Sequence, residues 1–100
     1  MSKQERCKCA RNYSILDSGI RLTDLALSER SPYSLEQMEM LWDNIQHVGR
    51  ACELDVSDIQ SQLEEMNEYV EKNNHTLARV VLDKIVIDMD TKLLKCSIGE

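Results

Sequence analysis

Phenylalanine is absent from this 100-residue chain, tryptophan occurs once and tyrosine three times. Aromatic side chains bury the most area per residue, so the core must be assembled from Leu, Ile, Val and Met. Glycine and proline are also scarce, at three and one. That argues against a turn-rich β fold and for long helices, which the abundance of Leu, Glu, Gln, Met and Lys favours. No apolar run approaches the roughly 20 residues of a membrane-spanning helix. Residues 1–11 lack the apolar stretch of a secretory signal, and a cytoplasmic location is expected.

The four cysteines are Cys7, Cys9, Cys52 and Cys96. A cytosolic chain keeps its thiols reduced, so Cys52 and Cys96, which fall on apolar helical faces, are expected to be small buried hydrophobes. Cys7-Lys8-Cys9 sets two thiols among bases that favour thiolates. Cys7 and Cys9 are therefore the candidates for soft-metal binding or a redox response. A structural zinc site takes four ligands, commonly in pairs at two-residue spacing, and no second pair exists. No resident metal or cofactor is expected. Residues 1–11 are read as a flexible basic tail with incidental thiols, and residues 12–100 as a single helical domain.

Charge is unevenly distributed around a formal net of −6. Lys3, Arg6, Lys8 and Arg11 face only Glu5 in residues 1–11, whereas residues 35–71 carry ten acids against Arg50 alone. So acidic a surface repels nucleic acid and anionic membranes and suits a basic protein partner.

The spacing of apolar residues divides the chain. Ile15, Leu16, Ile20, Leu22, Ala26 and Leu27 form a broad helical stripe over residues 14–30, with Asn12 or Ser14 as its cap. Gly19 lies inside it, at a cost of roughly 1 kcal/mol relative to Ala that close helix packing would justify. Ser31-Pro32-Tyr33-Ser34 ends it, because proline disfavours helix in the preceding residue. Ser34 with Gln37 forms a capping-box pattern, so a second helix should start at Leu35. From there Leu35, Met38, Trp42, Ile45, Gly49, Cys52, Val56, Ile59, Leu63, Met66 and Val70 alternate spacings of three and four, a heptad seam with acidic flanks. One helix across residues 35–72 would run about 57 Å, long for a domain of this size. Asp55 and Ser57 are good caps, so a break or kink near Asp55 is favoured over one continuous helix. Asn73-Asn74-His75 should stop the acidic helix. Thr76 to Cys96 carries Leu77, Ala78, Val81, Leu82, Ile85, Val86, Met89, Leu93 and Cys96 on one face, predicting a C-terminal antiparallel helix. The β-branched run at residues 84–88 has no strand to pair with. The fold expected is all-α, a small bundle of three to four helices.

His47-Val48-Gly49-Arg50-Ala51, followed by Leu54 and Val56, resembles the phosphoacceptor helix of histidine phosphotransfer domains, themselves acidic helical bundles. The resemblance implies His47 as phosphoacceptor and Arg50 as the base beside it. Ala51 departs from the glycine of that motif. Arg50 to Ile59 also resembles the turn of a helix-turn-helix. Ser61 and Glu64 stand where apolar residues should follow, and Asp58, Glu64, Glu65 and Glu68 would face phosphates, which argues against it. Gly-rich phosphate loops, nucleophile elbows and metal-spaced His–Glu pairs are absent. The chain is thus expected to be a non-enzymatic, regulatory, adaptor or chaperone-like interaction module. Its expected surface is the heptad seam, and its partner a basic or apolar-grooved protein or a second copy.

Overall fold

The computed structural model describes residues 2–13 and 16–99, and for Asn12 and Tyr13 the backbone alone. Among the described residues there are five helices and no strand: α1 (Lys3–Tyr13), α2 (Asp17–Ser28), α3 (Ser34–Cys52), α4 (Ser57–Glu71) and α5 (His75–Ser97). Ser14 and Ile15, assigned above to a cap and to the first stripe, lie outside them.

The long-range pairs set the helix directions. Arg11 bonds Asp90 and Asp24 bonds Arg79, each at 3.0 Å, so α1 and α2 climb in turn along α5 as it descends. Asp58 pairs with Lys92 and Gln62 donates to Asp88, making α4 antiparallel to α5. Arg6 donates to the Ala51 carbonyl and Ser34 to that of Ala26, so α3 is antiparallel to both α1 and α2. The five helices thus form four antiparallel rods, the first of them divided. The 23 residues of α5 span about 35 Å and pack on α1, α2 and α4. Leu41, Ile45, Ile59, Met66 and Ile85 are fully buried between the rods.

Three helices stop in the same way. At the ends of α2, α3 and α4 one residue turns left-handed, Arg30 (φ 52°), Glu53 (φ 54°) and Asn73 (φ 58°). The next amide reaches back five residues: Ser31 to Ala26, Leu54 to Gly49 and Asn74 to Tyr69. This is the Schellman stop. Asn73 is a residue that favours it; Arg30 and Glu53 are not, and adopt it because packing requires the chain to reverse there.

The break expected near Asp55 is present. Residues 53–56 separate α3 from α4, so the acidic segment is two helices rather than one long heptad-patterned helix. Gly49 permits the reversal, since a Cβ there would lie 3.2 Å from Val56 Cγ1 and 3.4 Å from the Leu54 carbonyl oxygen. Gly19 likewise sits against α3, where a Cβ would meet Asn44 Nδ2 at 2.9 Å, the close packing its presence implied. The capping-box expectation at Ser34 is corrected. Ser34 lies inside α3 and is buried, and its hydroxyl donates backward to Ala26 and Ser31 rather than accepting from the new helix. His75, expected in the stop, instead begins α5, which Asn74 caps by accepting from the Leu77 amide at 3.2 Å.

Asp55 closes the start of α4, accepting from the Ser57 amide at 3.0 Å and from the Ser57 hydroxyl at 2.8 Å. Hydrogen bonding to the Ser57 amide, then to its hydroxyl, holds the carboxyl below its usual value. A carboxyl lowered on folding stabilises the fold fully above its unfolded pKa of about 3.9, and the contribution disappears as pH falls through the lower folded value. The variant Asp55→Asn is therefore expected to be less stable than wild type at neutral pH, with the gap closing below about pH 4. Urea midpoints taken across that range would show it, and a pH-independent gap would refute it.

The largest correction concerns residues 1–11. From Lys3 onward they are not a tail but part of helix α1, packed against α5 and α3. Cys7, 0% exposed, forms a disulfide with Cys96 in the last turns of α5, their Cα atoms 5.8 Å apart. The expectation that all four cysteines are thiols is thereby overturned for two of them, because the fold brings the chain ends within bonding distance.

Candidate interaction surface on α5

Met38, Ile45, Cys52, Ile59, Leu63 and Met66 of the heptad seam are buried within this chain. Trp42, Val56 and Val70 are half-buried against the same core, and only Leu35, 38% exposed, reaches solvent appreciably. The break at residues 53–56 explains this. It folds the two halves of the seam back on each other, so that Met38 and Trp42 of α3 border one surface cleft with Leu63 of α4. The seam is the core of the bundle, and as a docking surface it is closed.

A second stripe stays open. The buried side of α5 is built from His75, Ala78, Leu82, Ile85, Met89, Leu93 and Cys96. Displaced from these by two residues, and so by roughly 200° around a helix of 3.6 residues per turn, run Leu77, Val80, Lys84, Ile87, Thr91, Leu94 and Ile98. Their spacing alternates three and four from end to end. The apolar members are exposed, Ile87 by 64%, Ile98 by 56% and Val80 by 50%. A helix apolar on opposite sides is normally covered on both. α1, α2 and α4 cover only one side of α5. Asp83 and Asp90 flank the outward stripe on one edge, and Asp88 and Lys95 on the other.

The sequence reading missed this stripe and placed Leu77, 41% exposed, on the inner face. The signal was legible, since two three-four series run through the same segment. One series sufficed to predict a helix, and nothing local says which of the two faces inward.

The remaining candidates are scattered. His47 and Arg50 are both exposed on α3, one turn apart. Ala51, also exposed, places a methyl where the phosphotransfer motif has glycine. His47 borders a shallow cleft with Arg6, Cys9 and Val48. Cys7 and Cys9 do not act together: two residues apart on a helix they point to nearly opposite sides, and Cys7 is bonded to Cys96. Cys9 remains a half-buried thiol and Cys52 a buried one. Among the described residues no group of three or more His, Cys, Asp or Glu is placed to hold a metal, and no helix is long and apolar enough to cross a membrane. No protein-family model, curated protein or solved structure matches the chain.

Proposed function

We propose that this protein is a non-enzymatic adaptor that docks an amphipathic helix of a partner protein along the outward stripe of α5. The observation that carries the reading is the exposure of Ile87, Val80 and Ile98 in heptad register, with Lys84 and Thr91 among them, on a helix already packed on its other side. Exposed apolar side chains aligned along one helix face are how a helix-in-groove site presents its anchors.

Charge selects the partner. A parallel pairing of two copies would stack Lys84 on Lys84. An antiparallel one that sets Leu77 against Leu94 would oppose Asp83 to Asp90 of the other copy, a like-charge approach that the Arg11 pairing of Asp90 offsets only in part. A second copy is therefore disfavoured. The complementary ligand is a helix with Leu or Ile along its seam, Lys or Arg opposite Asp83, and one acid opposite Lys84; Asp90 already pairs with Arg11.

A synthetic peptide of that design tests the proposal. Anisotropy titration is expected to show binding to the wild-type protein, at least about tenfold weaker for Ile87→Glu, a loss of some 1.4 kcal/mol. The same peptide with acidic flanks should not bind, and light scattering should show the unliganded protein as a monomer. Equal binding by Ile87→Glu, or indifference to the sign of the flanks, would refute the docking mode. The glutamate sits on solvent, so the variant keeps its fold.

A further inference from the structure

Among the described side chains of α1, only Cys7 and Ala10 are buried apolar ones, and both are small. Its ion pairs are exposed: the side chains of Arg11 and Asp90 are 36% and 56% accessible, those of Arg6 and Glu53 37% and 64%. Surface pairs of this kind hold weakly. Arg6 Nε also donates to the Ala51 carbonyl at 2.6 Å. The covalent tether is the bond from Cys7 to Cys96.

Both cysteines of that bond are buried, but only Cys96 borders a surface groove. Cys7 is 0% exposed and Cys96 7%. Cys96 forms part of an open groove whose other walls are Lys3 of α1, Lys92 and Lys95 of α5, and Leu54 and Asp55 of the α3–α4 connection. Lys92 also pairs with Asp58 at 3.2 Å. Three ammonium groups against the two carboxylates of Asp55 and Asp58 leave a net positive charge that attracts anions to the groove. The nearby protein thiol is Cys52, whose carbonyl oxygen lies 3.8 Å from Cys7 Sγ and 3.9 Å from Cys96 Sγ. Burial pushes the Cys52 thiol up, which keeps it protonated and a poor attacking group.

We propose that the Cys7–Cys96 disulfide is a clasp opened at Cys96 by an anionic low-molecular-weight thiol arriving through the lysine-lined groove, and that its opening frees α1 from the bundle. The incoming thiolate forms a bond to Cys96 Sγ as the Cys96–Cys7 bond breaks. The electron pair leaves with Cys7 Sγ, which takes a proton from water. In that form the Cys7 S–H has an acceptor in place, the Cys52 carbonyl. This first step is an exchange with no net oxidation. A second thiolate attacking the outer sulfur releases the small-molecule disulfide, so two thiols are oxidised as the protein disulfide is reduced. Among the described side chains, what then holds α1 is two small buried ones, the Arg6 hydrogen bond to the Ala51 carbonyl and screened ion pairs.

The folded, oxidised protein would be treated with glutathione, a net-anionic thiol, and with cysteamine, a net-cationic one, at matched thiolate concentration and low salt. The expected result is a mixed disulfide mapped by mass spectrometry to Cys96. Glutathione should react about tenfold faster or more, as attraction into a charged cleft allows. High salt and the variant Lys3→Gln with Lys95→Gln, both exposed positions, should level the two rates. Trypsin cleavage at Lys8 and Arg11 should appear as the adduct forms. Adduct on Cys7, equal rates for the two thiols, a preference indifferent to the lysine variant, or an α1 that stays protected after the adduct forms would each overturn the proposal.

Discussion

Replacing Cys7 or Cys96 by alanine is expected to lower the stability of the oxidised protein by about 2–5 kcal/mol, because the lost bond closes a loop spanning nearly the whole chain. The cysteines lie 89 residues apart, close to the largest loop the chain can form. In the chain-entropy account, a longer loop restricts the unfolded ensemble more. For a domain of this size the melting temperature should fall by roughly 10–25 °C. The double variant gives the sharper reading. If the bond is what is lost, Cys7→Ala with Cys96→Ala should cost no more than the costlier single change, since the two sites share one interaction. Additive losses would mean that packing at each site was at stake instead. Single variants within about 0.5 kcal/mol of wild type would show that the bond does not hold the fold. Thermal and urea unfolding, with and without reductant, separate these outcomes.

The second large effect contrasts one residue type at two positions of α5. Ile85 is 0% exposed and Ile87 is 64% exposed. Ile85→Ala removes three carbons from the centre of the bundle, where α5 meets its neighbours. Its expected cost is about 2–5 kcal/mol, transfer energy plus the cavity left behind. Against a total stability of about 5–15 kcal/mol, that is a large share. Ile87→Ala should change stability by no more than about 0.5 kcal/mol, while weakening the docking of a partner helix. The pair therefore tests the register of α5 directly. A one-residue rotation of the helix would bring the two costs together, and comparable losses in urea would show that the outward stripe is covered.

Much of this architecture was legible beforehand. The proline at position 32, the stop at Asn73 and the spacing of apolar residues located α2 to α5 and the break between α3 and α4, because these signals act within a few residues of themselves. α1 was not legible. Its sequence, KQERCKCARNY, carries no apolar stripe, and a segment without one reads as solvated chain. What ties it to the bundle includes the bond from Cys7 to a cysteine 89 residues away, a pairing no local window contains. The stops at Arg30 and Glu53 were hidden for a related reason. Neither residue favours the left-handed conformation, and tertiary packing imposes it.

The sequence by itself determined the class of fold. Scarce glycine and proline, helix-forming composition and a three-four rhythm of Leu, Ile, Val and Met admit little but antiparallel helices, since backbone preference and amphipathic periodicity are local properties. The tertiary structure alone decided which stripe would be core and which would face solvent. The acidic seam and the outward face of α5 carry the same rhythm. Only the reversal at residues 53–56, tight over Gly49, closes the first upon itself and leaves the second uncovered. Burial depends on where the other helices lie, and that is a property of the whole chain.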